Sequence, residues 1–273
     1  YTLKAGGAQS LEYSDLVIAC GAEVLQPKLQ GNAITSVHSI NQIEDYEGLR
    51  QGIEHKKSIG VLGAGFVGCE FANDLVNSGY DATIIAPESY PLARLVPKPI
   101  GDKLYEALSS VGVKWRLGRF AQQVDRRESC YDVTLDDGST RSFDAVISAV
   151  GITPKLEIAQ SAGITINHGI VVDSQCRTSH PHIYALGDCA EFDGQLRQYV
   201  APLLQSARLL AKVLVGEAVE IDYPIMPAVV KTPACPVVVV SPASTQGQWL
   251  YDDQEGGLTA LFKDSEGRLK GFA

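Results

Sequence analysis

The chain has 273 residues, a length that sets a prior of two domains with room for a small third, and that is ample to bury a core. Hydrophobic residues make up 45% and charged residues 20%, the balance of a globular protein rather than a disordered or collagen-like one. With 23 basic against 32 acidic residues the formal charge is −9, which argues against a phosphate backbone as the main ligand and leaves a local basic patch open. No apolar run approaches the roughly 18 residues of a membrane span. The opening residues show no basic segment followed by an apolar one, so no secretory signal is read and a cytoplasmic location is expected.

The six cysteines, Cys20, Cys69, Cys130, Cys176, Cys189 and Cys235, contain no CxxC and no zinc-like spacing. Buried, reduced thiols are the expectation. The chain opens on Tyr1, holds Met226 as its single methionine, and stops just after the strand-like Arg268–Gly271. A fragment of a longer protein is therefore expected.

In chain order, Leu16–Ala22 is an apolar run closed by a small-residue turn and reads as a buried strand. Residues 41–55 read as a helix with Asn41 as N-cap and Glu44 three residues on. Ser58–Leu62 is a short strand, Gly63–Gly68 a glycine-rich turn, Phe66–Ser78 a helix ended by Gly79, and Ala82–Ala86 the next strand. Such a unit has the size and order of a dinucleotide-binding βαβ motif. A helix fits Ile100–Val111, and 113–149 breaks into short β-like pieces with Asp137-Gly138 as a hairpin turn. Ala145–Gly151, Ile170–Val172 and Ile183–Leu186 read as further strands, and Pro202–Val215 as an apolar helix. Beyond Tyr223 the Val- and Pro-rich texture, with strands at Val237–Val240, Leu258–Phe262 and Leu269, suggests a small separate domain.

The sharpest motif is Gly63-Ala64-Gly65-Phe66-Val67-Gly68. In G-x-G-x-x-G the first glycine permits the tight turn, the second lets a pyrophosphate approach the backbone, and the third lets helix and strand pack closely. The helix N-terminus beyond adds unpaired N–H groups and a positive dipole end. The acid expected on the ribose 2′-hydroxyl falls at Ala86, with Glu88 the nearest carboxylate and no cation before Arg94, which favours NAD over NADP. Glu70 sits two residues past the third glycine and is read into the first helical turn, where it would suit the dipole. Thr178–Asp188 delivers Asp188 on the Gly187 turn at the end of a strand, a place from which a carboxylate can hold a polyol hydroxyl.

Asp15–Ala22, G-x-G-x-x-G-x-E, Ala149–Pro154 and Ile183–Asp188, in that order, resemble the FAD-dependent pyridine-nucleotide oxidoreductases over essentially the whole chain. More narrowly, Gly68–Leu75, Gly187–Glu191 and Lys231–Pro236 resemble the rubredoxin reductases among them. The resemblance implies an α/β fold with two Rossmann-like dinucleotide domains, the NAD domain inserted in the FAD domain, and a small C-terminal α+β domain. It implies an FAD-binding part at 1–26 and 158–222, an NAD-binding part at 27–157 and an interface part at 223–273. It implies FAD and NADH as cofactors and rubredoxin, an acidic iron protein, as partner. On this likeness Asp188 would hold the ribityl chain, Val200 would offer its N–H to the flavin pyrimidine edge, and Glu70 and Lys231 would lie near the isoalloxazine. Phe66 would cover the nicotinamide pocket, and Gly21, Gly151 and Gly187 close cofactor-side motif strands. No side chain need act as nucleophile or general acid.

Two departures accompany the likeness. The family's N-terminal glycine fingerprint for FAD would lie upstream of Tyr1, and the chain is itself acidic, so docking needs a basic patch, for which Lys231, Arg268 and Lys270 are candidates. Sister flavoenzymes using ferredoxin, nitrite or dioxygen stay open, as does the glutathione reductase type, whose cysteine pair would lie upstream. The thioredoxin reductase type is disfavoured because its CxxC is absent. A non-catalytic NADH-sensing module is the alternative of another class.

Overall fold

The computed structural model describes residues 2–5, 9–254 and 256–273, and the chain divides into two compact units. One unit runs up to Glu23 and resumes over Ile152–Met226; the other joins Val24–Gly151 to Pro227–Ala273. Each unit ties its own entry to its own exit. In the first, Lys155 N–H donates to Gly21 O at 3.0 Å; in the second, Leu25 N–H donates to Gly151 O at 2.9 Å.

The larger unit is built on a five-stranded parallel sheet in the order His38–Ser39, Ala145–Ser148, Ser58–Leu62, Asp81–Ala86, Lys114–Leu117. Period-two alternation assigns its two faces. Ile59, Val61, Ala82, Ile84, Ala145 and Ile147 face a core shared with helices Ile43–Ile53, Phe66–Asn77 and Lys98–Ser110. Leu62, Ile85 and Val146 face Val124, Val133, Leu135 and Phe143 of a three-stranded antiparallel sheet formed by Ala121–Arg127, Cys130–Leu135 and Thr140–Phe143. Gly60 makes room for that second layer, since a Cβ there would stand 2.9 Å from the Phe143 ring. The hairpin turn at Asp137-Gly138 forms as expected, with Gly138 at φ +80°.

The C-terminal segment of this unit adds two antiparallel pieces, Ala228–Val230 with Val237–Val239, and Gln248–Gln254 with Gly257–Lys263 and Leu269–Phe272. Val230, Val237, Val239 and Ala260 are buried in the same core as the nucleotide-motif helix. The smaller unit pairs Leu16–Ile18 in parallel with Ile183–Ala185, and Ile170–Val172 in parallel with Ala190–Phe192. Its helix Val200–Leu214 buries Leu209, Leu210 and Val213 against Cys176 and Tyr184.

Two local expectations are corrected. The first helix starts at Ile43 with Gln42 as N-cap, and Asp45 rather than Glu44 closes the capping box, accepting N–H of Asn41 at 2.9 Å and of Gln42 at 3.1 Å. Asp45 is the N3 residue of that frame, the position from which a carboxylate reaches back. Strand Gln248–Gln254 has no counterpart in the sequence reading, because it carries Asp252 and Asp253 and is mostly exposed, so no alternating apolar face marks it.

The six thiols are free, with Cys69, Cys176 and Cys189 buried. Burial pushes Cys69 and Cys176 up to about 12, and burial with the neighbouring Cys189 pushes Cys20 up to about 11. Since only the thiolate reacts, a thiol reagent added to native protein at neutral pH is expected to modify Cys20, Cys69 and Cys176 slowly. Fast modification of Cys69 or Cys176, located by peptide mapping, is the result that contradicts this packing.

Candidate functional site

The glycine turn lies at the carboxyl end of the central strand of the parallel sheet, where ligands of α/β folds sit. Its three glycines have three distinct surroundings. Gly63 has φ +109°, and a Cβ there would stand 2.4 Å from Ala149 O. At Gly68 a Cβ would stand 2.1 Å from Gly63 O, so the helix is drawn onto the turn itself. At Gly65, by contrast, a Cβ would meet nothing within 4 Å. Gly65 is the N-cap of helix Phe66–Asn77 and offers no side-chain cap, so the first N–H groups of the helix face that open side. A cradle bare of side chains in front of a helix N-terminus fits a pyrophosphate. Phe66 begins the helix, half-buried against the core.

Ala86 ends the second strand, fully buried, with its carbonyl accepting Arg119 N–H at 3.0 Å. Glu88 follows and accepts from Arg94 Nε at 3.1 Å, while Arg94 itself is 82% exposed. The carboxylate thus stays partly shielded and held in place beside the strand end. Gly151 closes the third strand at φ +116°.

The reading of Glu70 as a first-turn dipole partner is corrected. The helix begins at Phe66, so Glu70 is its fifth residue and no acid occupies the first turn. Its Oε1 instead accepts the backbone N–H of Lys231 at 2.7 Å. One helical turn on, Asn73 Oδ1 accepts Ala234 N–H at 3.3 Å. Glu70 and Lys231, which the resemblance places near one another, are thus joined directly by this hydrogen bond. Asn73 was missed; its signal was a polar residue on the core-facing stripe of an otherwise apolar helix.

In the smaller unit, Gly21 stands at φ +71° and Gly187 at φ +79°, each just beyond one of the two paired parallel strands. Asp188 lies in the short turn Gly187–Cys189. Its carbonyl accepts from Gln198 Nε2 at 3.3 Å, but no donor reaches its carboxylate among the described residues. Burial holds that carboxyl above the usual carboxylate range. Val200 opens helix Val200–Leu214, is 69% exposed, and follows an N-cap, Tyr199, whose side chain makes no cap bond. An undonated, half-buried carboxylate fits the hydroxyls of a polyol chain, and an uncapped helix N-terminus fits an electron-rich ring edge. The residues present thus fit FAD. Glu191, next in the same motif, serves the packing of the unit instead. Burial opposes its charge, but donors from Asn167 at 2.9 Å and Gly169 at 2.8 Å hold its carboxyl below the usual range.

Of the candidate docking cations, Arg268 pairs with Asp264 at 2.9 Å and Glu266 at 2.9 Å, and Lys270 approaches Asp264 at 3.9 Å. Lys231 is exposed and makes no ion pair among the described residues. No helix among the described residues is long and apolar enough to cross a membrane.

Residues 1–208 match the family described as pyridine nucleotide-disulphide oxidoreductase, and residues 220–273 match a rubredoxin binding C-terminal domain. The chain is 43% identical to a rubredoxin-NAD(+) reductase of Alcanivorax borkumensis, over 96% of this chain and 69% of the relative. It is 37% identical to a rubredoxin-NAD(+) reductase of Acinetobacter baylyi, over 99% of this chain and 70% of the relative. A ferredoxin reductase from Rhodopseudomonas palustris superimposes with a TM-score of 0.89 at 30% identity, covering 97% of this chain and 67% of that one. The nucleotide turn, the undonated acid on its glycine turn and a match over most of the chain agree: this chain belongs to the pyridine nucleotide-disulphide oxidoreductase family.

Proposed function

We propose that this chain carries electrons from NADH through FAD to rubredoxin. The observation that carries this reading is the likeness to rubredoxin-NAD(+) reductases at 43% identity over 96% of the chain, joined to the rubredoxin binding match at 220–273. FAD, when bound, supplies the exchange between two-electron and one-electron transfer. The chain's own residues bind and orient. Gly63, Gly65, Gly68 and the N-terminus of helix Phe66–Asn77 hold the pyrophosphate of NADH, and Glu88 takes the adenosine ribose hydroxyls. Phe66 flanks the nicotinamide. Asp188, with Gly21 and Gly187 shaping the turns of its own unit, holds the ribityl chain, and Gly151 shapes the turn after strand Ala145–Ser148 of the larger unit. Val200 N–H favours an electron-rich isoalloxazine, which a fixed positive potential stabilises without reorganisation; for the Lys231 ammonium, in the other unit, such a role rests on the family resemblance alone. No side chain acts as nucleophile or general acid.

The domain boundaries read from the sequence, 1–26 with 158–222 for FAD, 27–157 for NAD and 223–273 for the interface, are part of this proposal. So is a cytoplasmic location, which six free thiols support because such cysteines persist in a reducing compartment.

Ferredoxin as acceptor is the second reading, favoured by the structural likeness to a ferredoxin reductase at 30% identity. The full-length protein, mixed anaerobically with NADH, separates the two. Rubredoxin is expected to be reduced at least roughly tenfold faster than ferredoxin, a difference of about 1.4 kcal/mol in activation free energy. Equal rates would remove the acceptor assignment, and a protein that binds NADH but no flavin would leave the sensing module.

A further inference from the structure

Helix Val200–Leu214 can serve a ligand with its first N–H groups only if they stand at a set place, yet its N-cap, Tyr199, gives it no side-chain bond. The segment that enters the helix is held by other contacts. Gln198 Nε2 donates to Asp188 O at 3.3 Å, and the Tyr199 hydroxyl donates to Met226 O at 3.2 Å. Arg197 is held most closely. Its Nη1 donates to Phe192 O at 3.1 Å and its Nη2 to Gln195 Oε1 at 3.0 Å. Its guanidinium lies over the Tyr223 ring, 4.5 Å from the ring centroid.

Tyr223 carries that hold into the helix itself. Its hydroxyl lies 2.6 Å from Oγ of the buried Ser206. Ser206 has one hydroxyl proton and gives it to Pro202 O at 2.8 Å, so the Tyr223 hydroxyl is the donor of the pair. Pro202 lies in the first helical turn and Ser206 in the second. One aromatic ring thus meets the guanidinium just ahead of the helix on its face and the helix on its hydroxyl. All these residues belong to the smaller unit. The acceptors of Arg197 are a carbonyl and an amide oxygen, so the site uses its planar fork and its flat face; a lysine would keep the charge and lose both.

We infer that Arg197 and Tyr223 are positioning residues: their stack sets the N-terminus of helix Val200–Leu214 against the turn that carries Asp188, so that Val200 N–H and the Asp188 carboxylate stand where one flavin can use both. The inference rests on the proposed contact of Val200 with the flavin. Both residues act through the helix. The positive end of a helix is felt within its first turn only, so a small displacement of that turn weakens what it does to a ligand.

The test uses the full-length flavoprotein, with Val200→Pro as the reference. Proline is tolerated at the first helical residue, and Tyr199 is already extended, as a residue before proline must be, so this change removes the N–H and little else. The midpoint potential of the bound flavin should fall in Val200→Pro, Arg197→Lys, Arg197→Met and Tyr223→Leu, because each takes positive potential away from the reduced ring. Adding Arg197→Lys to Val200→Pro should lower it no further. Hydrogen exchange over 203–206, whose amides close the first turn, should quicken roughly tenfold in Arg197→Lys and in Tyr223→Leu. Leu209→Ala, a core change in the same helix, should lower the melting temperature and leave the potential where it was. Exchange unchanged in both Arg197→Lys and Tyr223→Leu overturns the inference. A potential that moves in Val200→Pro but in neither of those two overturns it as well and leaves the reading of Val200 intact. A potential that falls in Arg197→Met and is kept in Arg197→Lys also overturns it, since charge alone would then be at work. A potential unmoved in Val200→Pro removes the helix from the flavin, and the inference with it.

Discussion

Gly65→Ala is expected to lower the melting temperature by a few degrees at most, the cost of a poorer N-cap, and to raise KM for NADH roughly tenfold to a hundredfold, about 1.4–3 kcal/mol of lost binding. Gly63→Ala is expected to lower both stability and affinity. The contrast follows from the surroundings of the two residues. Gly65 has ordinary negative φ and open space where a Cβ would stand, so alanine meets no protein atom. It does enter the space a pyrophosphate must occupy to reach the helix N–H groups. Gly63 has φ +109°, and its Cβ would lie 2.4 Å from Ala149 O. Left-handed strain costs about 1–2 kcal/mol, and the overpacked contact adds about 1–3 kcal/mol. At about 2–4 °C per kcal/mol for a protein of this size, the melting temperature should fall by roughly 4–20 °C. Thermal unfolding and stopped-flow reduction of the flavin by NADH check the pair, with reduction by dithionite as the control that bypasses the nucleotide site. A stable Gly63→Ala protein would show that the turn is not built as described. A Gly65→Ala protein with normal KM would place the nucleotide elsewhere.

Asp188→Asn is expected to weaken FAD binding by roughly a hundredfold, about 2.7 kcal/mol, in the range for removing a charged hydrogen-bond acceptor. The same change should make the flavin-free protein more stable at neutral pH. Burial raises the Asp188 carboxyl pKa in the folded state, so the unfolded chain holds the ionised form more easily. The folded state therefore carries no penalty below the unfolded value, and loses stability as pH rises from there through the raised folded value. Asparagine is neutral throughout and carries no such penalty. The melting temperature of flavin-free Asp188→Asn should exceed that of the unaltered protein at pH 7 and match it at pH 3. With FAD in excess the order at pH 7 should reverse, because ligand binding adds stability only where affinity is high. If the variant retains FAD through gel filtration as the unaltered protein does, Asp188 does not hold the ribityl chain.

The central dinucleotide unit was legible because its signals are local. Ser58–Leu62, the glycine turn and the helix after it need only a short apolar strand, three glycines and a helical stripe, all within one stretch of chain. Likewise Asp188 announced itself by the strand and glycine before it. What the sequence concealed depends on partners distant in the chain. Glu70 looked like a helix-dipole residue because its acceptor role is fulfilled by Lys231, which is 161 residues away. Asn73 was missed for the same reason, its partner Ala234 also lying 161 residues on. Arg268 and Lys270 looked like a free basic patch until Asp264 was placed between them. Strand Gln248–Gln254 escaped notice because it is held by its backbone pairing with Gly257–Lys263 rather than by a buried side-chain face.

The interleaving of the two units bears on how the protein is made. Strand Leu16–Ile18 leaves the ribosome before its partner Ile183–Ala185, which follows 167 residues later, counting from Leu16 to Ile183. At about 5–20 residues per second that is a wait of roughly 10–30 s with an apolar strand unpaired. The nucleotide unit waits as well, since Val230, Val237, Val239 and Ala260 complete its core. Each unit is thus finished only by residues synthesised after much of the other. In that interval each unit exposes apolar surface that its own later residues cover, the condition under which partly made chains aggregate.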